Sequence, residues 1–328
     1  ALGSTIGADP GLRDRLLGGL WGAVTGDALG VPVEFQRRAH LDADPVVDLR
    51  EYGTYGQPRG TWSDDSSLML CCLYSLLGRE LDLVDMARRF VDYLDRAYMT
   101  PHGAVFDIGV TTRNALARLR AGVPPLEAGP SGERDNGNGA LMRILPVGLR
   151  YVAAPDEQLV AAAHQVARLT HGHARSQLAC GYYCLLARQL LLGLPPGEAY
   201  ARANAAARLL YQAPPFFAEL PHFERILAGN LASLRREQLS SSGYVVHTLE
   251  AALWCVLTTG SYADAVLRAV NLGDDTDTVG CVAGGLAGLH YGIEAVPLRW
   301  RSALARHDEL ADWFTRFGER VLGQLAGD

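Results

Sequence analysis

The chain has 328 residues, 48% of them hydrophobic and 20% charged, which suits one large core or two modest ones and excludes wholesale disorder. A formal net charge of −6 and a pI near 5.9 argue against broad nucleic-acid binding, which needs a basic surface. The six cysteines (Cys71, Cys72, Cys180, Cys184, Cys255 and Cys281) lie in apolar stretches and form no CxxC, so they predict buried reduced thiols in a cytoplasmic protein.

Residues Ala1 to Gly11 lack a basic n-region and an apolar h-region, so no signal peptide is expected. Leu12, Leu16, Leu20, Val24 and Ala28 recur at intervals of four and predict the first helix. Pro45–Leu49 is the only short strand candidate, and Gly53–Gly60 reads as a loop. Met86, Phe90 and Leu94 predict another helix; Gly122–Gly139, Leu194–Gly197 and Gln212–Pro221 read as loops. Ala251, Cys255 and Thr259 share one helical row, and Ser261 with Asp264 forms a capping box ahead of Ala265–Leu272. The pattern is all-α. It contains no interdomain linker and no solenoid repeat, so a single domain over 1–328 is expected, as a monomer.

Gly18, Gly22, Gly26 and Gly30 are spaced by four, as are Gly280, Gly284, Gly288 and Gly292. Glycine inside a helix costs about 1 kcal/mol relative to alanine. Such a repeat therefore calls for compensation, and a bare helix face provides it by admitting another backbone. Asp27 and His290 interrupt these stretches, which read as too short to span a bilayer, so no membrane partner is expected.

Two acidic segments each precede a predicted helix: Gly60-Thr61-Trp62-Ser63-Asp64-Asp65-Ser66-Ser67 and Gly273-Asp274-Asp275-Thr276-Asp277-Thr278-Val279-Gly280. Helix capping explains one or two such residues. It does not explain paired and tripled carboxylates, which repel one another unless a cation or solvent relieves them. In an extended stretch Asp275 and Asp277 would point the same way. An all-oxygen set suits hard cations such as Mg²⁺ and Mn²⁺. A calcium loop starting at Asp275 fails, since Val279 stands at its position 5 and Leu286 where a bidentate Glu is required.

Several ordered motifs together resemble the ADP-ribosylglycohydrolase family. They are Gly26-Asp27-Ala28-Leu29-Gly30 with Glu34, Thr61-Trp62-Ser63-Asp64-Asp65-Ser66, Phe106-Asp107-Ile108-Gly109, Asn136-Gly137-Asn138-Gly139-Ala140-Leu141-Met142-Arg143, Thr170-His171, Gly243-Tyr244-Val245 and Gly273-Asp274-Asp275-Thr276-Asp277-Thr278. The resemblance implies a compact all-α bundle with a central cleft for two Mg²⁺ or Mn²⁺ ions. By the same resemblance Ser63, Asp64 and Asp65 form one metal set and Asp275, Asp277 and Thr278 the other. The family usually has Thr where this chain has Ser63 and Ser66.

Asp107 and, second, Glu34 are the implied acid/base groups; the bland alternatives are an N-cap before Ile108–Leu119 and a solvated loop carboxylate. Asn138, Gly139 and Ala140 belong to a glycine-rich turn whose N–H groups suit a diphosphate ahead of an apolar helix. It is not a Rossmann turn, because Met142 replaces the third glycine. Met142 is expected to pack beneath that turn. His171 is expected near the ribose and phosphate, and Tyr244 against adenine. His171 and His173 show no third soft ligand for zinc.

The implied reaction is hydrolysis at C1″ between ADP-ribose and an acceptor, most consistently arginine of an ADP-ribosylated protein. The Phe106-Asp107-Ile108-Gly109 segment leans toward the bacterial arginine-directed type. Serine, nucleic-acid and small-molecule conjugates are alternative substrates. A noncatalytic ADP-ribose-binding regulator, or a structural relative such as a crystallin-like member, is the rival from another class.

Overall fold

The computed structural model describes residues 9–78 and 80–327; the leader expectation falls largely on residues 1–8, outside the described residues. The principal helices are α1 Leu12–Gly30, α2 Asp64–Ser75, α3 Leu83–Arg96, α4 Val110–Arg120, α5 Leu145–Arg150, α6 Asp156–Arg168, α7 Ala174–Leu191, α8 Pro196–Leu210, α9 Val245–Leu257, α10 Tyr262–Val270, α11 Thr276–Tyr291 and α12 His307–Ala326. No strand occurs among the described residues, only isolated bridges joining Tyr52 to Gln57 and Gly137 to Tyr244. Pro45–Leu49 is therefore not a strand. The Asn271 side-chain amide occupies the edge a neighbouring strand would use, accepting from Val46 N–H at 2.8 Å and donating to Val46 O at 3.0 Å.

One apolar core runs through the bundle, with α1 and α11 at its centre. These two helices are antiparallel and their glycine faces meet. A Cβ on Gly18, Gly22 or Gly26 would strike the carbonyl of Gly288, Gly284 or Gly280 respectively, and the reverse substitutions would strike the partner carbonyls. Gly30 lies against the Asp277 backbone, so the contact continues into the second acidic segment. Gly292 departs from the series: with φ +83° it ends α11 and packs against Asp14. Around this axis α9 and α10 cover α11, while α7 is held between α6, α8 and α5.

Several boundaries differ from the sequence expectation. The row through Ala251 and Cys255 ends at Leu257, short of Thr259, and α10 stops at Val270. Ser261 Oγ does accept from Asp264 N–H, at 3.0 Å. The turn after Gly139 leads not into a long helix but into a 3-10 turn, Leu141–Arg143, because Pro146 restarts the helix as α5. The stretch Leu12–Val33 is long and apolar enough to cross a bilayer by composition, contrary to the reading from Asp27; 94% of its most apolar window is buried within the fold. All six cysteines are free and buried.

Candidate active site

The two acidic segments meet at one end of the α1–α11 axis. Asp27 of α1 organises the first. Its carboxylate accepts from Ser63 N–H at 2.9 Å, Ser63 Oγ at 2.7 Å, Ser66 N–H at 3.2 Å and Ser66 Oγ at 2.6 Å. Ser63 Oγ also caps α2 by accepting from Asp65 N–H at 3.2 Å. The second segment is clasped to the loop after α1. Phe35 N–H donates to Asp274 O at 2.7 Å, and Asp274 N–H to Gln36 O at 2.8 Å. Both Phe35 (φ +70°) and Asp274 (φ +58°) take left-handed conformations to make this clasp. Thr276 Oγ1 then bonds Gly30 O at 2.7 Å, seating the start of α11. Asp275 stands at the N-cap position and Asp277 in the first turn, so the extended reading of this pair does not hold.

These constraints shape a cleft of about 340 Å³. Its lining includes Glu34, Asp64, Asp65, Asp107, Asp275 and Asp277, with Thr278, and no arginine or lysine among the described residues. One oxygen each from Asp27, Asp65 and Asp277 lie within 4.8 Å of one another, and so do one each from Glu34, Asp107 and Asp277. Burial, reinforced by neighbouring carboxylates, drives the pKa values of Asp64, Asp65 and Asp277 well above the usual range. Asp27 is pushed to about 6 by burial, against the pull of its four serine hydrogen bonds. Asp64 Oδ1 and Asp65 Oδ2 are buried with no hydrogen-bond partner. Ionised oxygens left this way are costly without a counter-charge, so the donor set fits hard divalent cations.

Glu34 and Asp107 face each other across the same cleft. Burial, then the charges of Asp275 and Asp107, push Glu34 to about 8. Burial also raises Asp107. Tyr55 Oη lies 2.8 Å from Glu34 Oε2 and 3.1 Å from Asp107 Oδ2. A phenol has one hydrogen, so it donates to one carboxylate and accepts from the other only when that one is protonated. Asp107 is not a helix cap: α4 starts at Val110 with Gly109 before it. Tyr93 instead fixes the Asp107 backbone, donating to its carbonyl at 2.8 Å. Glu34 is buried at 6% exposure, which sets aside the solvated-carboxylate alternative.

The glycine turn closes the far wall. Asn138 donates its amide to Asp275 Oδ2 at 2.7 Å and to Thr248 Oγ1 at 2.9 Å, tying this turn to the second acidic segment. Gly139, Met142 and His171 line the cleft with it. Ala140 is fully buried and Ser63 lies behind the carboxylates, so neither is among the lining residues. Tyr244 is half-buried beyond the lining; its hydroxyl accepts from Arg175 Nη1 at 3.2 Å, and its backbone bridges Gly137. His173 caps α7, accepting from Arg175 N–H at 3.1 Å, and offers nothing to the cleft. Asp27 and Tyr55 were missed as site residues. Asp27 had a signal, an acid near the C-terminal end of an otherwise apolar stretch of α1; Tyr55 had none.

Comparison with known proteins places this geometry. A family model for ADP-ribosylglycohydrolases matches residues 8–327. The chain is 34% identical to an ADP-ribosylarginine hydrolase of Pseudomonas putida over 297 residues, covering 89% of this chain and 74% of that one. It is 30% identical to the ADP-ribosyl-[dinitrogen reductase] glycohydrolase of Rhodospirillum rubrum, covering 90% of this chain and 92% of that one. A solved structure described as an ADP-ribosylglycohydrolase-related protein complex superposes with a TM-score of 0.79 at 32% identity, covering 94% of this chain and 99% of that one. The chain belongs to the ADP-ribosylglycohydrolase family.

Proposed function

We propose that the protein hydrolyses the bond between C1″ of ADP-ribose and an arginine guanidinium of a modified protein, using two Mg²⁺ or Mn²⁺ ions, and that residues 1–328 act as one domain. The observation that carries this reading is the pair of buried, unpartnered oxygens of Asp64 and Asp65 in a cleft shared with Asp277, Glu34 and Asp107. Asp64, Asp65, Asp275, Asp277 and Thr278 would hold the ions, with Ser63 backing the first set. When bound, such ions fix ribose hydroxyls and make a water molecule more acidic.

The remaining work falls to the protein's own groups. The carboxylates concentrate negative charge near the ribose carbon, where positive charge develops as the glycosidic bond breaks. Glu34 gives a proton to the departing guanidine nitrogen. Asp107 receives a proton from the attacking water, and Tyr55 holds the two carboxyls in mutual register. The turn at Asn138 and Gly139 holds the diphosphate. The arginine assignment is supported by the Pseudomonas putida relative, whose name specifies ADP-ribosylarginine.

The test is release of ADP-ribose from a panel of arginine-, serine- and nucleic-acid-linked conjugates, each with Mg²⁺, Mn²⁺ or chelator. Metal-dependent release from the arginine conjugate is expected. Absence of release from every conjugate by metal-loaded protein would overturn the enzyme reading in favour of a noncatalytic ADP-ribose-binding regulator or a structural relative.

A further inference from the structure

We infer that Arg143 and Thr170 lock His171 as the tautomer protonated at Nε2, so that it presents one N–H donor to an anionic diphosphate oxygen in the cleft. Only the identity of the ligand rests on the proposed function; the tautomer rests on the hydrogen-bond chain.

The chain starts from a group that cannot accept. Arg143 is fully buried, and its guanidinium offers only N–H donors. Nη1 donates to Gly139 O at 2.9 Å and to Thr170 Oγ1 at 2.6 Å, while Nη2 donates to Val166 O at 2.8 Å. Thr170 Oγ1, itself fully buried, lies 2.7 Å from His171 Nδ1. Having accepted from Arg143, the hydroxyl must place its own hydrogen somewhere. His171 Nδ1 is its only hydrogen-bond acceptor among the described residues. If Nδ1 carried the ring proton, the hydroxyl would face two donors and its hydrogen would be buried without a partner. Nδ1 therefore accepts, and the proton of the neutral ring sits on Nε2.

That nitrogen is aimed at the cleft. His171 Nε2 has no hydrogen-bond partner among the described residues, and His171 is a lining residue. Nε2 lies beside the glycine turn: a Cβ on Gly139 would sit 3.2 Å from it, and one on Gly137 3.9 Å. Burial, then the Arg143 charge, hold the imidazole pKa down to about 3, so the ring is a neutral donor throughout the working pH range. Arg143 has no carboxylate partner among the described residues, and its charge lies directly behind the Gly139 carbonyl, to which Nη1 donates at 2.9 Å. A guanidinium without a counter-ion beneath an open glycine turn favours an anion on the other side.

Arg143 and Thr170 are thus positioning residues acting through His171. The readout is a long-range ¹H–¹⁵N spectrum of the full chain labelled at histidine nitrogens, with the His171 signals assigned by their loss in His171→Asn. The wild type should show protonated Nε2 and accepting Nδ1. Thr170→Val should lose that pattern and raise the Kd for ADP-ribose about tenfold, as expected for one charge-assisted hydrogen bond, while Thr170→Ser restores both. Protonated Nδ1 in wild-type protein overturns the inference, as does a Thr170→Val variant that keeps both tautomer and affinity. Should Thr170→Val not fold, the wild-type spectrum decides alone. Failure of wild-type protein to bind ADP-ribose overturns the ligand and the proposed function together; protonated Nδ1 in protein that binds ADP-ribose overturns this inference only.

Discussion

Asp277 is the residue shared by the two carboxylate groups, near Asp27 and Asp65 on one side and Glu34 and Asp107 on the other. Its ionised form is opposed by burial, then by the charges of Asp65, Glu34, Asp275 and Asp27. Asp277→Asn should therefore raise the melting temperature of metal-free protein, while removing both metal-induced stabilisation and turnover. An unchanged rise of melting temperature with Mn²⁺ in this variant would contradict the ligand role. Tyr55→Phe leaves the ring packed on Phe106 (centroids 5.1 Å apart) and removes only the hydroxyl between Glu34 and Asp107. We expect kcat to fall about tenfold or more with little change in KM, on the scale of a partial loss of acid–base catalysis; full activity would remove Tyr55 from the mechanism. At this scale the sequence exposed the carboxylates because they are clustered in it. Tyr55 was hidden because it is an aromatic residue in a glycine-rich loop, and its partners are 21 and 52 residues away.

The glycine faces of α1 and α11 are the element that brings the acidic segments together. Gly26→Leu would drive a branched side chain into the Gly280 carbonyl, where backbone and not a pliable side chain must yield. We expect a loss of roughly 3 kcal/mol or more in urea unfolding, at or beyond the upper end of ordinary overpacking. Surviving folded protein should bind Mn²⁺ more weakly, since Gly30 and Asp277 share the same contact; normal stability together with normal affinity would refute this. The spacing by four made each face legible, but not that the two faces meet each other. Pairing of distant helices is a tertiary fact, and periodicity reports only which side of each is bare. The strand candidate at Pro45–Leu49 is settled in the same way: Asn271, 225 residues from Val46, supplies the edge contacts.

The whole molecule carries a pH signature set by its cleft. Glu34 titrates near 4.5 when unfolded and at about 8 in the fold, so its protonated form is the one folding prefers. The stability it contributes is complete below about pH 4.5 and is lost as pH rises toward about 8. Asp64, Asp65 and Asp277 shift in the same direction. In chelator, stability should therefore decline from mildly acid to mildly alkaline pH, and saturating Mn²⁺ should abolish most of that slope. Equal slopes with and without metal would separate the carboxylates from cation binding. The fold class was legible throughout, because helical periodicity and the lack of β-branched alternation are local; the joining of cleft walls was legible only through motif order. The α1–α11 seam also has a consequence for synthesis. Its halves are separated by nearly 250 residues, so the first helix leaves the ribosome long before its glycine face has anything to meet. Until α11 is made, the central seam stays open and the acidic segments stay apart, so a nascent chain halted before Thr276 should remain protease-sensitive and inert.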